Sequence, residues 1–159
     1  MRAYFVSGLN TLSGCACFRL VPATHDSNGF SSADFVAELN LGDIALLKGD
    51  LALAREYLEG VHSLVKDPAT SEWMRWRYSM HLFASLSAHG LARGDLSRAR
   101  ECADQCLELA TRTDSRKYLV TGWRLQGEIA LARGRWQDAD RALREALAVA
   151  RVIGSPTPL

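Results

Sequence analysis

The sequence predicts an all-helical chain built as three successive helical hairpins. A short phrase occurs three times: a basic residue, a glycine, a large apolar residue two places on, and an alanine five places after the glycine. Its copies are Lys48, Gly49, Leu51 and Ala54, then Arg93, Gly94, Leu96 and Ala99, then Arg133, Gly134, Trp136 and Ala139. The glycines are 45 and 40 residues apart, and a recurrence at this spacing is the signature of a repeat architecture. Apolar residues at helical intervals flank each phrase on both sides.

Each phrase reads as a helix, a tight turn and a second helix running back. Glycine ends the first helix because it accepts the left-handed backbone of a C-terminal cap. The basic residue before it sits at the helix's negative end, an interaction worth a few tenths to about 1 kcal/mol. The apolar residue after the turn is expected to pack back on the first helix, and the alanine to let the two backbones approach.

The first helix starts at Ser31, Ser32 and Asp34 and carries Phe35, Leu39, Leu41, Ile44 and Leu47 at helical intervals. The second carries Leu51, Ala54, Tyr57, Leu58, Val61 and Leu64 and stops before Asp67 and Pro68. The third is long, over about 71–93, with Trp76, Met80, Phe83 and Leu86 on one face. The fourth carries Leu96, Ala99, Cys102, Ala103, Cys106, Leu107 and Ala110 and ends near Thr111. Asp114 or Ser115 caps the fifth, which carries Leu119, Trp123, Gly127, Ala130 and Leu131. The sixth runs over about 136–153 and is stopped by Gly154, Ser155 and Pro156. Glycine breaks of this kind exclude a continuous coiled coil. The expected organisation is a poorly structured leader over 1–30, a helical repeat domain over 31–154 and a tail over 155–159. The hairpins fall at about 32–66, 71–112 and 115–153.

These residues resemble the tetratricopeptide repeat family. The third hairpin matches the family's positions through Trp123, Gly127, Ala130, Gly134, Ala139, Leu143 and Ala146. The first matches through Leu41, Gly42, Ala45, Gly49, Ala54 and Leu58. The second matches through Phe83, Leu86, Gly94, Ala99 and Cys106, but has Ser87 where the family has glycine and Gly90 where it has tyrosine. The family's unit is about 34 residues, shorter than the spacing here. Longer units with such turns are similar to the divergent repeats of large ATP-binding bacterial LuxR-type regulators and ATPase-linked adenylate cyclases. The resemblance implies a right-handed α-solenoid of about three hairpins, serving as an interaction or sensing module within a bacterial regulatory or signalling protein. It also implies that the first helices of successive hairpins line a concave groove that receives a protein or peptide.

The composition excludes several other classes. At 159 residues the chain suits one domain, and 48% apolar content argues against wholesale disorder. A formal charge of +1 gives no strong field for nucleic acid or an anionic membrane, and neither is expected as a partner. No phosphate-binding G-x-x-x-x-G-K motif and no helix-turn-helix is present, and no cofactor is expected. The four cysteines, Cys15, Cys17, Cys102 and Cys106, read as reduced thiols packed as small apolar groups rather than as a four-thiolate zinc site. Leu12, Ser13, Gly14 and Cys15 resemble a lipoprotein processing site, which would anchor a periplasmic scaffold. The apolar stretch before it is broken by Ser7, Gly8, Asn10 and Thr11, and a cytoplasmic location is the expectation.

By position, the groove candidates are Leu39 and Asp43 on the first hairpin, His81 and Ala88 on the second, and Thr121, Arg124 and Glu128 on the third. Trp73 and Arg77 precede His81 at four-residue spacing and share its face. An aromatic, a guanidinium and an imidazole in one row suit the gripping of a peptide. Arg124 and Glu128 read as an i,i+4 ion pair, and Trp76, Phe83, Trp123 and Trp136 as core. His81 and His89 are too far apart along their helix for a helical zinc pair. With no nucleophile and positioned base visible in the sequence, an enzyme is not expected; a non-catalytic fragment of an ATPase or cyclase is the alternative. The last helix carries Ala139, Ala142, Leu143, Ala146, Leu147, Val149, Ala150 and Ile153, a wider apolar arc than one neighbour needs. It is expected to pack on something beyond the chain, either a following repeat or a second subunit.

Overall fold

A computed structural model of the chain describes residues 32–154. The leader, with Cys15 and Cys17, and the tail lie outside the described residues. Every regular element among the described residues is a helix: α1 Ser32–Lys48, α2 Leu51–Lys66, α3 Glu72–Ala92, α4 Leu96–Arg112, α5 Arg116–Ala132 and α6 Trp136–Gly154. None of them is long and apolar enough to cross a membrane.

The repeated phrase makes the same turn three times. Gly49, Gly94 and Gly134 have φ of 78°, 75° and 70°, the left-handed region that a side chain would strain. At each turn the glycine N–H donates to a carbonyl three residues back, and the next N–H donates five residues back, as in Asp50 N to Ala45 O at 2.9 Å. Asp50 and Asp95 then cap the return helices, accepting from Leu53 N and Arg98 N, each at 3.0 Å. Arg135 replaces that aspartate in the third turn, and its Nε donates to Asp138 Oδ2 at 2.6 Å instead.

Each helix packs on the next along the chain, and α3 also contacts α1 and α5. The odd-numbered helices therefore form one continuous layer. The core has two parts. Phe35, Leu39, Leu58, Val61, Met74 and Leu82 centre the first, between α1, α2 and α3. Ala84, Ala99, Ala103, Cys106, Leu125 and Ile129 make the second, between α3, α4 and α5, and Phe83 packs against both. Cys102 and Cys106 are free and buried, and burial pushes the Cys106 thiol up to about 12, which keeps it protonated and unreactive.

Three expectations about helix faces need correction. In α1 the covered stripe is Phe35, Leu39, Gly42 and Ala45, while Leu41, Ile44 and Leu47 are exposed, because α2 and α3 lie on one side of the helix only. Trp136 is largely exposed beside the third turn, while the small residues Ala130 and Ala139 are the ones buried where α5 meets α6. Trp76 is also half exposed, since Met74, Leu82 and Leu86 define the buried side of α3.

Candidate functional site

The odd-helix layer presents two adjoining clefts. The larger, about 460 Å³, lies between Val36 of α1, Trp76, Arg77 and His81 of α3, and Lys117 and Tyr118 of α5. The smaller, about 230 Å³, shares His81, Lys117 and Tyr118 and continues past Asp43, Ser85, Ala88, Thr121 and Arg124.

At His81, which lines both clefts, a hydrogen-bonded cluster ties α1 to α3. His81 Nε2 lies 2.8 Å from Asp43 Oδ2, and Ser85 Oγ donates to Asp43 Oδ1 at 2.6 Å. His81 and Ser85 are four residues apart, so one helical face delivers both donors to the carboxylate. Burial pushes the Asp43 pKa up, but the hydrogen bonds from His81 and Ser85 and the nearby charges of His81 and Lys117 outweigh it. The carboxyl is held below its ordinary value and stays ionised at neutral pH. Because an ionised carboxylate only accepts, His81 Nε2 is the donor of that pair.

Tyr118 stands on the other side, its ring centroid 6.4 Å from that of His81 and 5.2 Å from Lys117 Nζ. Burial raises the Tyr118 pKa, so its phenol remains protonated. Arg77 and Lys117 have no carboxylate partner among the ion pairs of the described residues. Arg124, by contrast, donates to Glu128, and both side chains are exposed. Among the described residues the clefts thus carry two cations outside any ion pair, Lys117 resting over the Tyr118 ring, and the carboxylate that lines them, Asp43, already accepts two hydrogen bonds.

No protein-family model, curated protein or solved structure matches the chain.

The chemistry of the cluster is that of holding rather than activating. In an activated serine the hydroxyl donates to a histidine, which in turn donates to a carboxylate. Here Ser85 and His81 both donate directly to Asp43, so the imidazole does not receive the serine proton. Among the described residues there is no group of three His, Cys, Asp or Glu side chains placed to hold a metal ion.

Most of the groove candidates converge, but not all. Asp43, Arg77, His81, Ala88, Thr121 and Arg124 line the clefts. Leu39 does not: it is wholly buried in the first core cluster and is corrected from groove residue to core residue. Leu39 and Asp43 stand one turn apart on the same side of α1, but Leu39 clusters with Leu58 and Val61 of α2 and Leu82 of α3, whereas Asp43 is met by His81 and Ser85. Trp73 is exposed but lines neither cleft, and Trp76 supplies the aromatic wall instead. Glu128 is drawn in only through its pair with Arg124. Reading the sequence missed Ser85, Lys117, Tyr118 and Trp76. Ser85 lies four residues after His81, and Lys117 four before Thr121, so helical spacing held a signal for both.

Proposed function

We propose that the chain is a protein–protein interaction module of the tetratricopeptide-like, α-solenoid type. It serves a larger bacterial regulatory or signalling protein by receiving a peptide segment along the odd-helix layer. The observation that carries this reading is the convergence of side chains from three hairpins on one continuous pair of clefts. The three left-handed glycine turns support the repeat assignment. The cluster of Asp43, His81 and Ser85 fixes the spacing of α1 and α3, which gives an incoming segment a preformed seat and limits the ordering cost of binding.

The charge of the clefts selects the kind of segment. Arg77 and Lys117 are free to form charge-assisted hydrogen bonds, while Asp43 has no remaining demand for a cation. A segment with carboxylates beside an aromatic or apolar residue fits, the latter resting on Trp76 and Val36. Selection of a displayed random-peptide library on the full chain is expected to enrich Asp and Glu. The doubly reversed variant Arg77→Glu with Lys117→Glu is expected to bind the selected peptides about tenfold or more weakly, since each charged hydrogen bond contributes roughly 1.5–3 kcal/mol. Unchanged affinity in a fluorescence titration, with native helicity by circular dichroism, would place the site elsewhere.

A further inference from the structure

We infer that the two ends of the helical array bind each other between copies, the outer face of α1 in one chain seating on α6 of a second. The inference follows from the register of the repeats. With Gly49, Gly94 and Gly134 aligned, Leu41 and Ile44 of α1 occupy the positions of Leu86 and His89 in α3 and of Gln126 and Ile129 in α5.

In α3 and α5 those positions face the preceding hairpin. His89 Nε2 lies 3.0 Å from Leu51 O, and Gln126 Nε2 donates to the Asp104 carboxylate. Leu86 is 6% exposed and Ile129 1%, whereas Leu41 and Ile44, with no hairpin before them among the described residues, are 42% and 46% exposed. The receiving side repeats as well. Arg133 Nη2 donates to Leu96 O at 2.8 Å, and Leu96 is the register counterpart of Leu51, the residue His89 meets. The next counterpart is Trp136, at the start of α6, and Lys48 of α1 stands in the register of Arg133.

The apolar contact follows the same rule. His62 of α2 packs edge-on against Phe83, with ring centroids 6.0 Å apart. Its counterpart in α4, Leu107, lies so close over Gly122 that a Cβ there would be 2.6 Å from Leu107 Cγ. The next counterpart, Leu147 of α6, is 50% exposed.

Among the described residues, then, two junctions are completed, and α1 and α6 present the corresponding positions at opposite ends of the array, with Leu41 and Arg144 in the register of Gln126 and Asp104. Within the described residues α1 and α6 do not touch, so one chain does not close the junction on itself. A second copy carries the required register on its α1, and this is the occupant assigned to α6. Such a contact is heterologous: it uses different surfaces on the two partners and propagates head to tail unless the rotation closes a ring. The outer face of α6 is mixed, with Leu147 at 50% exposure alongside the exposed Asp140–Arg144 ion pair.

The test is sedimentation velocity on the full chain over a range of concentrations, using Ile44→Glu, Leu147→Glu and their equimolar mixture. Both substitutions lie on exposed positions, and circular dichroism checks that helicity is retained; Leu41→Glu replaces Ile44→Glu should that variant fail to fold. The wild-type mean mass is expected to rise with concentration, and each variant alone to lose that rise. The mixture is expected to form a pair and nothing larger, because one variant keeps a working α6 and the other a working α1. A wild type that stays monomeric throughout overturns the inference. So does a mixture that fails to pair, or an Ile44→Glu chain that still self-associates, which would indicate α6 meeting α6.

Discussion

Gly90→Leu is expected to destabilise the protein by about 3 kcal/mol, at the upper end of ordinary overpacking costs. The same substitution at Gly60 is expected to leave stability unchanged or to raise it by up to about 0.8 kcal/mol. Both glycines lie inside helices, so the gain in helix propensity is nearly the same, and the difference isolates packing. A Cβ on Gly90 would lie 2.9 Å from Ala99 N and 3.0 Å from Ala99 Cα. Those are backbone atoms of α4, held in the first turn by the bond from Ala99 N to Asp95 O at 2.9 Å, and they do not yield locally. The helices have to separate, and the Ser87 Oγ bond to Ala99 O at 2.8 Å is lost with them. A Cβ on Gly60 meets only the carboxylate tip of Glu38, at 3.8 Å. Urea unfolding of the two variants side by side checks the contrast, through the shift in midpoint at constant slope.

Leu39→Ala carries the other large effect, an expected loss of about 3 kcal/mol within the usual 2–5 for a buried leucine. Leu39 is wholly buried among Phe35, Leu58 and Leu82, and the cavity left behind would be closed on several sides. No change is expected in the affinity for a cleft-binding peptide once the variant is folded, because Leu39 lines neither cleft. Thermal unfolding together with a peptide titration separates the two outcomes. A variant of native stability with weakened binding would restore Leu39 to the groove.

The contrast between Leu39 and Asp43 shows what a sequence conveys here and what it does not. The turns are legible because a single residue type carries the requirement: Gly49, Gly94 and Gly134 each adopt a backbone that other residues avoid. The helices between them are legible from apolar spacing, and the all-helical class follows. Which face of a helix is covered depends on its neighbours. α1 has apolar residues on two sides, and its own period cannot distinguish the stripe of Phe35 and Leu39 from that of Leu41, Ile44 and Leu47. Trp73 and Trp76 differ by a little under one turn, and the rotation of α3 in its packing decides which of them walls the cleft. Tyr118 belongs to the site only because α5 packs on α3, a long-range fact with no local trace, whereas Lys117 shares the face of Thr121 at four-residue spacing. The groove candidates Asp43, His81, Thr121 and Arg124 were reachable because position within a repeat is itself a long-range statement, made by the recurrence of the turn.

That the odd-helix layer is the binding face is tested most directly by chemical-shift mapping on the ¹⁵N-labelled full chain, titrated with a peptide selected by display. The account predicts the largest shifts at His81, Ser85, Tyr118 and Thr121, with α2 and α4 little affected. Shifts concentrated on α2, α4 or α6, with the Asp43–His81 region unmoved, would contradict it.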